Sequence, residues 1–225
     1  MQKKLYLVSI PIGNKDDFSF RALEILNNSD FIICEEFKPA RRFLSSYKIE
    51  KELFSLNEHN ENEAAPEIIK KIKDGEKAAL ISDAGTPLFS DPGHYLVALA
   101  ISAGIEVVPV PGANSLLPAL VGSGLDFEKF YYYGWLSPKK EIRRQELNHL
   151  KKKKDLIVLM ETPYRLQKIL ADTSNTFGGK TKAVLAYKLT MPEEKFYRGS
   201  LETIAKEADK KKLKGEFVLL IDNRN

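Results

Sequence analysis

Short apolar runs alternate with amphipathic stretches through the first half of the chain. Leu5–Ile10, Phe31–Glu35, Leu53–Leu56, Ala78–Ile81 and Ile105–Val110 read as strands. Between them the apolar spacing becomes helical. Asp17 or Ser19 can cap a helix through Leu26, with Phe18, Ala22, Ile25 and Leu26 on one face. Pro39 stands near the start of a helix through Tyr47. Ile68, Ile69 and Ile72 form the inward face of a helix over Glu63–Lys73, with Gly75 placed to cap its C-terminus. Pro92–Ala103 predicts a further helix ended by Gly104. This alternation implies a largely parallel sheet covered on both faces.

The second half is less regular. Helices are expected over Ser115–Val121, Glu141–Leu150, Arg165–Ala171 and Leu201–Ala208. Strands are expected at Phe130–Trp135, Leu156–Met160, Ala183–Leu189, Lys195–Arg198 and Phe217–Ile221, some of them antiparallel. The Pro/Gly cluster Pro109–Gly112 is the best boundary, so the reading is two α/β domains, 1–111 and 112–225, the first sheet mostly parallel and the second mixed.

Composition narrows the class. A 225-residue chain with 43% hydrophobic residues can bury a substantial core. The net charge of +4 does not by itself establish a nucleic-acid partner. The single cysteine, Cys34, excludes an intrachain disulfide framework and sits in an apolar run, as a buried structural thiol would. No signal peptide precedes the first strand, and no apolar run approaches the roughly 20 residues of a spanning helix, so a cytoplasmic protein without a membrane partner is expected.

Common catalytic signatures are missing. The chain has no Gly-x-Gly-x-x-Gly after the first strand, no phosphate-loop Gly-Lys-Ser/Thr, no Gly-x-Ser-x-Gly elbow and no Cys/His set with metal-ligand spacing. What stands out is Ile81-Ser82-Asp83-Ala84-Gly85-Thr86-Pro87, continuing to Ser90-Asp91-Pro92-Gly93. Ligands in open α/β sheets bind beyond the carboxyl ends of strands, and a glycine there admits close approach to the backbone. The same residues also suit a strand-to-helix turn with Asp91 capping the next helix. Residue chemistry leaves both readings open.

Six segments, in order, resemble the tetrapyrrole methylase superfamily of S-adenosylmethionine-dependent enzymes. They are LYLVSIPIGN (5–14), EHNE (58–61), ISDAGTPLFSDPG (81–93), VPGA (110–113), ETPYR (161–165) and KGEFVL (214–219). Within the superfamily the chain looks most like the branch that methylates a cytidine ribose 2′-oxygen in small-subunit ribosomal RNA. The resemblance implies two α/β domains with S-adenosylmethionine in the cleft between them, and a homodimer. Carried over by motif, the cofactor contacts are Ile12, Asp83, Ala84, Gly85, Thr86, Pro87, Asn114 and Ser115, with Glu161, Thr162, Leu189, Thr190, Gly215 and Glu216 from the second domain. The partner implied is ribosomal RNA or the small ribosomal subunit.

Substrate-side motifs depart from that branch. Glu35-Glu36-Phe37-Lys38 stands where it has Glu-Asp-Thr-Arg, Tyr187-Lys188-Leu189-Thr190-Met191 replaces Arg-Glu-Leu-Thr-Lys, and Tyr164 replaces His. A divergent paralog fits these changes. So do a methylase acting on a tetrapyrrole, another small molecule or a protein, and a non-catalytic RNA binder. A ribose hydroxyl is a weak nucleophile and gains from a base. Glu36, His59 and Lys188 are the candidate catalytic residues; Glu36 and Lys188 also suit a solvated pair, and His59 a turn. Phosphate contacts could come from Lys38, Arg41, Arg42, Lys139, Lys140, Arg143, Arg144 and Lys151–Lys154, with Tyr131–Tyr133 and Trp135 stacking on bases. The plainer reading makes those lysines a solvated face and the aromatics part of core and surface.

Overall fold

The computed structural model describes residues 3–224. The chain divides into two compact units, Met1–Asn114 and Ser115–Asn225.

The first unit is a five-stranded parallel sheet. Its strands are β1 (Lys4–Val8), β2 (Phe31–Cys34), β3 (Glu52–Ser55), β4 (Ala78–Leu80) and β5 (Glu106–Val110), in the order β3-β2-β4-β1-β5. The helices are α1 (Phe20–Asn28), α2 (Phe37–Ser46), α3 (Glu61–Lys73) and α4 (His94–Ser102). Side-chain alternation sorts the core into two layers. Leu5, Phe31, Ile33, Ala78 and Leu80 pack with Ile68 and Ile72 of α3 and Leu96 and Ala100 of α4. Val8, Ile32, Cys34 and Ala79 face the other way, against Ala22 and Leu26 of α1 and Ala40 and Leu44 of α2. Both faces are thus covered, as the strand–helix alternation predicts. Ser19 is the N-cap of α1 and accepts from the Ala22 amide at 3.1 Å, while Asp17 lies in a preceding 3-10 turn.

The second unit carries α5 (Leu116–Ser123), β6 (Tyr131–Gly134), α6 (Lys140–Lys151), β7 (Leu156–Glu161), α7 (Leu166–Phe177), β8 (Lys182–Tyr187), β9 (Lys195–Ser200), α8 (Leu201–Lys210) and β10 (Phe217–Asp222). Its sheet order is β6-β7-β10-β8-β9; β6 and β7 are parallel and the remaining neighbours antiparallel. One sheet face packs Ile157, Leu159, Leu185 and Leu219 against α6, α7 and α8. Helix α5 packs on β8, β9 and β10, and a Cβ on Gly122 would fall 2.2 Å from the Phe196 ring. Arg198 donates to the Gly122 and Ser123 carbonyls, placing a cation at the C-terminal end of α5.

Two expectations need correction. Helix α7 continues to Phe177 rather than ending at Ala171, because Thr173 buries its hydroxyl by donating to the Ile169 and Leu170 carbonyls. The polar run Asp172–Thr176 hides that continuation, since such residues more often favour turns. Asp91 does not cap α4. Gly93 is the N-cap residue, and the Glu61 carboxylate supplies the cap by accepting from the amides of Tyr95 at 2.8 Å and Leu96 at 3.2 Å. That cap comes from 34 residues earlier, beyond the reach of a local capping pattern.

Candidate functional site

In the first unit, the carboxyl ends of β1, β4 and β5 are stitched together. Ile10 and Gly85 exchange two backbone hydrogen bonds, of 2.9 and 3.1 Å. The Ser9 and Thr86 hydroxyls are 3.0 Å apart, and Thr86 is 3.3 Å from the Ala113 carbonyl, to which it can donate. Ser82 donates to the Gly85 carbonyl at 3.1 Å. The Asp83–Pro87 loop therefore has a defined shape without a ligand to hold it.

Gly85 has φ +80°, and a Cβ there would lie 3.1 Å from Ile12 Cγ2 and 3.7 Å from the Ala113 carbonyl oxygen. The space in front of Gly85 is filled by the chain itself, so its bare backbone serves close packing of three loops. Asp83 and Ala84, two and one positions earlier, are the exposed part of the loop.

Ile12, Glu36, Asp83 and Ala84 line one open groove of about 610 Å3, together with Lys15 and Arg42. That size is in the range of small-ligand sites. Two carboxylates, Glu36 and Asp83, line the groove opposite in charge to Lys15, Lys38 and Arg42. Partial desolvation in the groove, reinforced by Glu36, pushes the Asp83 carboxyl above its ordinary value. Burial and then Asp83 do the same for Asp91. Glu35 is raised by burial, then by Asp83, Asp91, Glu36 and Glu58. Cys34, beneath them, is pushed up to about 11 by burial and by Asp83, with Arg41 opposing; it is a structural thiol. His59 is not among the groove residues. Its side chain is 85% exposed on the turn before α3, 3.5 Å from Glu58, and its amide donates to Asn57 Oδ1.

In the second unit, strand register gathers the predicted residues. Phe217 pairs with Glu161 on one side and Tyr187 on the other, so the ends of β7 and β8 meet the start of β10. The Lys188 amide donates to the Glu216 carbonyl at 2.8 Å, and a Cβ on Gly215 would lie 2.6 Å from Lys188 Cε. Lys188 and Thr190 both hold left-handed backbone, with φ 48° and 64°, around Leu189. Such strain in non-glycine residues concentrates where a loop must take one particular shape. The Lys188 ammonium is 3.0 Å from Glu193, which raises its pKa and keeps it charged. Ser115 donates to Met160 Sδ at 3.9 Å.

Glu161 points inward. Its carboxylate is fully buried, 3.2 Å from Arg165, and it accepts from the Leu136 and Thr162 amides at 3.4 and 3.3 Å. Arg165 also donates to the Leu136 and Ser137 carbonyls. Burial raises the Glu161 pKa, and Arg165 pulls it back. The side chains of this motif lock the loop after β6 and leave Thr162 and Tyr164 at its surface. Arg143, expected among the phosphate contacts, is fully buried instead. It pairs with Asp172 at 2.7 Å and donates to the Ser137 and Pro138 carbonyls. Ser9 and Glu61, which lie in the segments 5–14 and 58–61 without being singled out there, and Tyr47, which no motif marks, also shape the first-unit loops.

No helix among the described residues is long and apolar enough to cross a membrane, and no described cluster of His, Cys, Asp and Glu could hold a metal ion.

A family model described as Tetrapyrrole (Corrin/Porphyrin) Methylases matches residues 4–205. The chain is 38% identical over 221 residues to Ribosomal RNA small subunit methyltransferase I of Bacillus subtilis, covering 98% of this chain and 75% of that protein. It is 40% identical to the protein of the same name from Synechocystis sp., covering 96% and 78%. Among solved structures, diphthine synthase superposes with a TM-score of 0.73 at 17% identity, covering 97% of this chain and 89% of that one, a likeness of fold.

Proposed function

The chain belongs to the tetrapyrrole (corrin/porphyrin) methylase family, and on that premise we propose that it is an S-adenosylmethionine-dependent methyltransferase of small-subunit ribosomal RNA, acting on a cytidine ribose 2′-oxygen. One observation carries the reading: 38% and 40% identity, over nearly the whole chain, to two proteins named Ribosomal RNA small subunit methyltransferase I.

S-adenosylmethionine supplies a sulfonium methyl group. The first-unit loops suit it: an exposed carboxylate at Asp83 can accept from a hydroxyl or an ammonium, beside the small Ala84 and the apolar Ile12. Thr86, Pro87 and Gly85 hold this wall in shape, next to Asn114. The contacts proposed on the second unit, Ser115, Glu161, Thr162, Leu189, Thr190, Gly215 and Glu216, rest on their motifs. Glu161 holds its neighbours in place, and Thr162 presents the surface.

Fixed placement of a nucleophile beside the methyl donor can remove about 7–11 kcal/mol of a transfer barrier. Glu36 is the residue assigned to accept the ribose proton, because it lines the groove with Asp83. Lys188, held as an ammonium by Glu193, serves as a cation for an anionic substrate and not as a base. His59 keeps the role of a substrate contact on its motif alone. Exposed Tyr95 and Ile101 on α4 support a homodimer, and a ribosomal substrate supports a cytoplasmic location.

The test is incubation with methyl-labelled S-adenosylmethionine and small-subunit particles lacking the modification. Label in a 2′-O-methylated cytidine is expected. Label in protein or small molecule, with none in RNA, would overturn the reading.

A further inference from the structure

One short helix of the first unit carries an exposed surface that is both basic and aromatic. Helix α2 buries Ala40 and Leu44 and turns Phe37, Lys38, Arg41 and Arg42 to solvent. Phe37 is 42% exposed, and the Arg41 guanidinium sits 5.6 Å from its ring centre. Grooves flank the helix on two sides. Lys38 and Arg42 line the groove that also contains Glu36 and Asp83. Arg41, Lys48 and Lys51 line a second groove, of about 450 Å3. Among the described residues, none of these five cations forms an ion pair.

The basic helix α6 of the second unit also borders a groove, lined by Lys140, Arg144 and Lys151, but its charges are largely paired. In α6, Arg143 is buried on Asp172, Arg144 pairs with Glu141 at 3.3 Å, and Lys151 donates to the Thr176 carbonyl at 2.8 Å. Its charges are largely engaged within its own unit, whereas those of α2 are not.

Helix α2 is also held rigidly beside the site. The rings of Phe18, Phe43 and Tyr47 pack with centroids 4.7–5.3 Å apart, and the Tyr47 hydroxyl donates to the Lys15 carbonyl at 2.7 Å. The helix is thereby fixed to the loop that follows β1, the loop carrying Ile12. Lys48, with φ 59°, ends it in a left-handed turn while Ile49 is buried behind.

We infer that α2 is a docking helix for an unpaired RNA strand, with Phe37 stacking on a base and the cations of its two flanking grooves holding the backbone phosphates. An exposed ring flanked by cations that no carboxylate holds in an ion pair, although Glu36, Asp83 and Glu50 share their grooves, matches what single strands offer, a base face and a phosphate chain. A duplex hides its base faces, so the aromatic residue favours the strand. The choice of RNA as ligand rests on the methyltransferase reading above; the contacts themselves do not require methyl transfer.

The test uses the full chain and a fluorescein-labelled 12-nucleotide unstructured RNA containing cytidine, alone and annealed to its complement, with binding read by anisotropy across a salt series. Phe37→Ala should weaken strand binding about tenfold and leave duplex binding unchanged, and Phe37→Trp should retain strand binding. Arg41→Gln with Arg42→Gln should reduce the slope of log affinity against log salt by about 1.4. All these side chains are exposed, so melting temperatures should not move. Wild-type affinity and slope in the variants, duplex binding as tight as strand binding, or no wild-type binding to the strand would each overturn the inference. A chain that places no methyl group on ribosomal RNA, yet shows these losses, would sink the substrate reading and leave the docking helix standing. Methylation with unchanged strand binding in the variants would do the reverse.

Discussion

The Ser9 and Thr86 hydroxyls lie 3.0 Å apart, and this contact ties the loop leaving β4 to the end of β1. Ser9 is buried, so it has no water to replace a lost partner. Thr86→Val keeps the shape and removes the hydroxyl. It should cost about 1–3 kcal/mol, the range for leaving a buried polar group unpaired. A fall in melting temperature and a weaker calorimetric affinity for S-adenosylmethionine are the expected readouts.

Gly85→Ala tests the neighbouring position. With φ +80° and Ile12 3.1 Å from the new methyl, the substitution adds left-handed strain and a close contact. About 1–2 kcal/mol of destabilisation follows from the backbone alone. Gly75→Ala has a similar φ of +110° but nothing within 4 Å, so the difference between the two variants in urea melts isolates the crowding at Ile12.

The contribution of Asp91 and Glu35 to stability should fall as pH rises through the acid range, opposite in sign to that of Glu193, Glu202 and Asp222, whose pKa values are lowered by their basic partners. Burial chiefly, with like charge second, raises Asp91 and Glu35, so the folded chain holds these protons more tightly than the unfolded chain. Their stabilising contribution is complete below the ordinary carboxylate range, about pH 4, and is lost as pH climbs through the raised values. Asp91→Asn should therefore raise the melting temperature at neutral pH and leave it unchanged in acid. Salt should reproduce only part of that gain, because burial leads the shift and salt screens only the like charges.

The Glu161–Arg165 pair should behave as a coupled unit. Arg165→Met leaves a buried carboxylate unpaired and should cost about 3 kcal/mol, the low end for a broken buried pair because Arg165 keeps some exposure. Adding Glu161→Gln removes that charge and should recover part of the loss. A double-mutant cycle by chemical denaturation measures the coupling.

Lys188 should act through its charge. Lys188→Met should reduce methyl transfer and Lys188→Arg should retain much of it. The pH–rate profile should show no lysine ionisation below the ordinary range near 10.4, because Glu193 holds the ammonium protonated. An inflection near neutrality that disappears in Lys188→Arg would contradict this.

Much of the architecture is legible in local pattern. Runs such as Leu156–Met160 and Phe217–Ile221 are apolar throughout because both sheet faces are covered, and they appear as β7 and β10 with ends shifted by a residue. Ser19 caps α1 as its type and position suggest. The readings that fail depend on distant partners. Asp91 has the chemistry of a cap, but Glu61 takes that role. Arg143 belongs to a basic stretch, yet Asp172 and two carbonyls draw it into the core.

Sequence alone determines the alternation of strands and helices, the parallel first sheet and the ordered motifs of the family, because hydrophobic period, turn residues and short motifs act over a few positions. Only tertiary structure decides that Gly85 packs against Ile12, that Glu161 faces inward to Arg165, and that α2 leaves its cations unpaired. Those outcomes turn on which groups meet across strand register and helix packing. A carboxylate, a guanidinium or a bare backbone takes its role from the partner that arrives there.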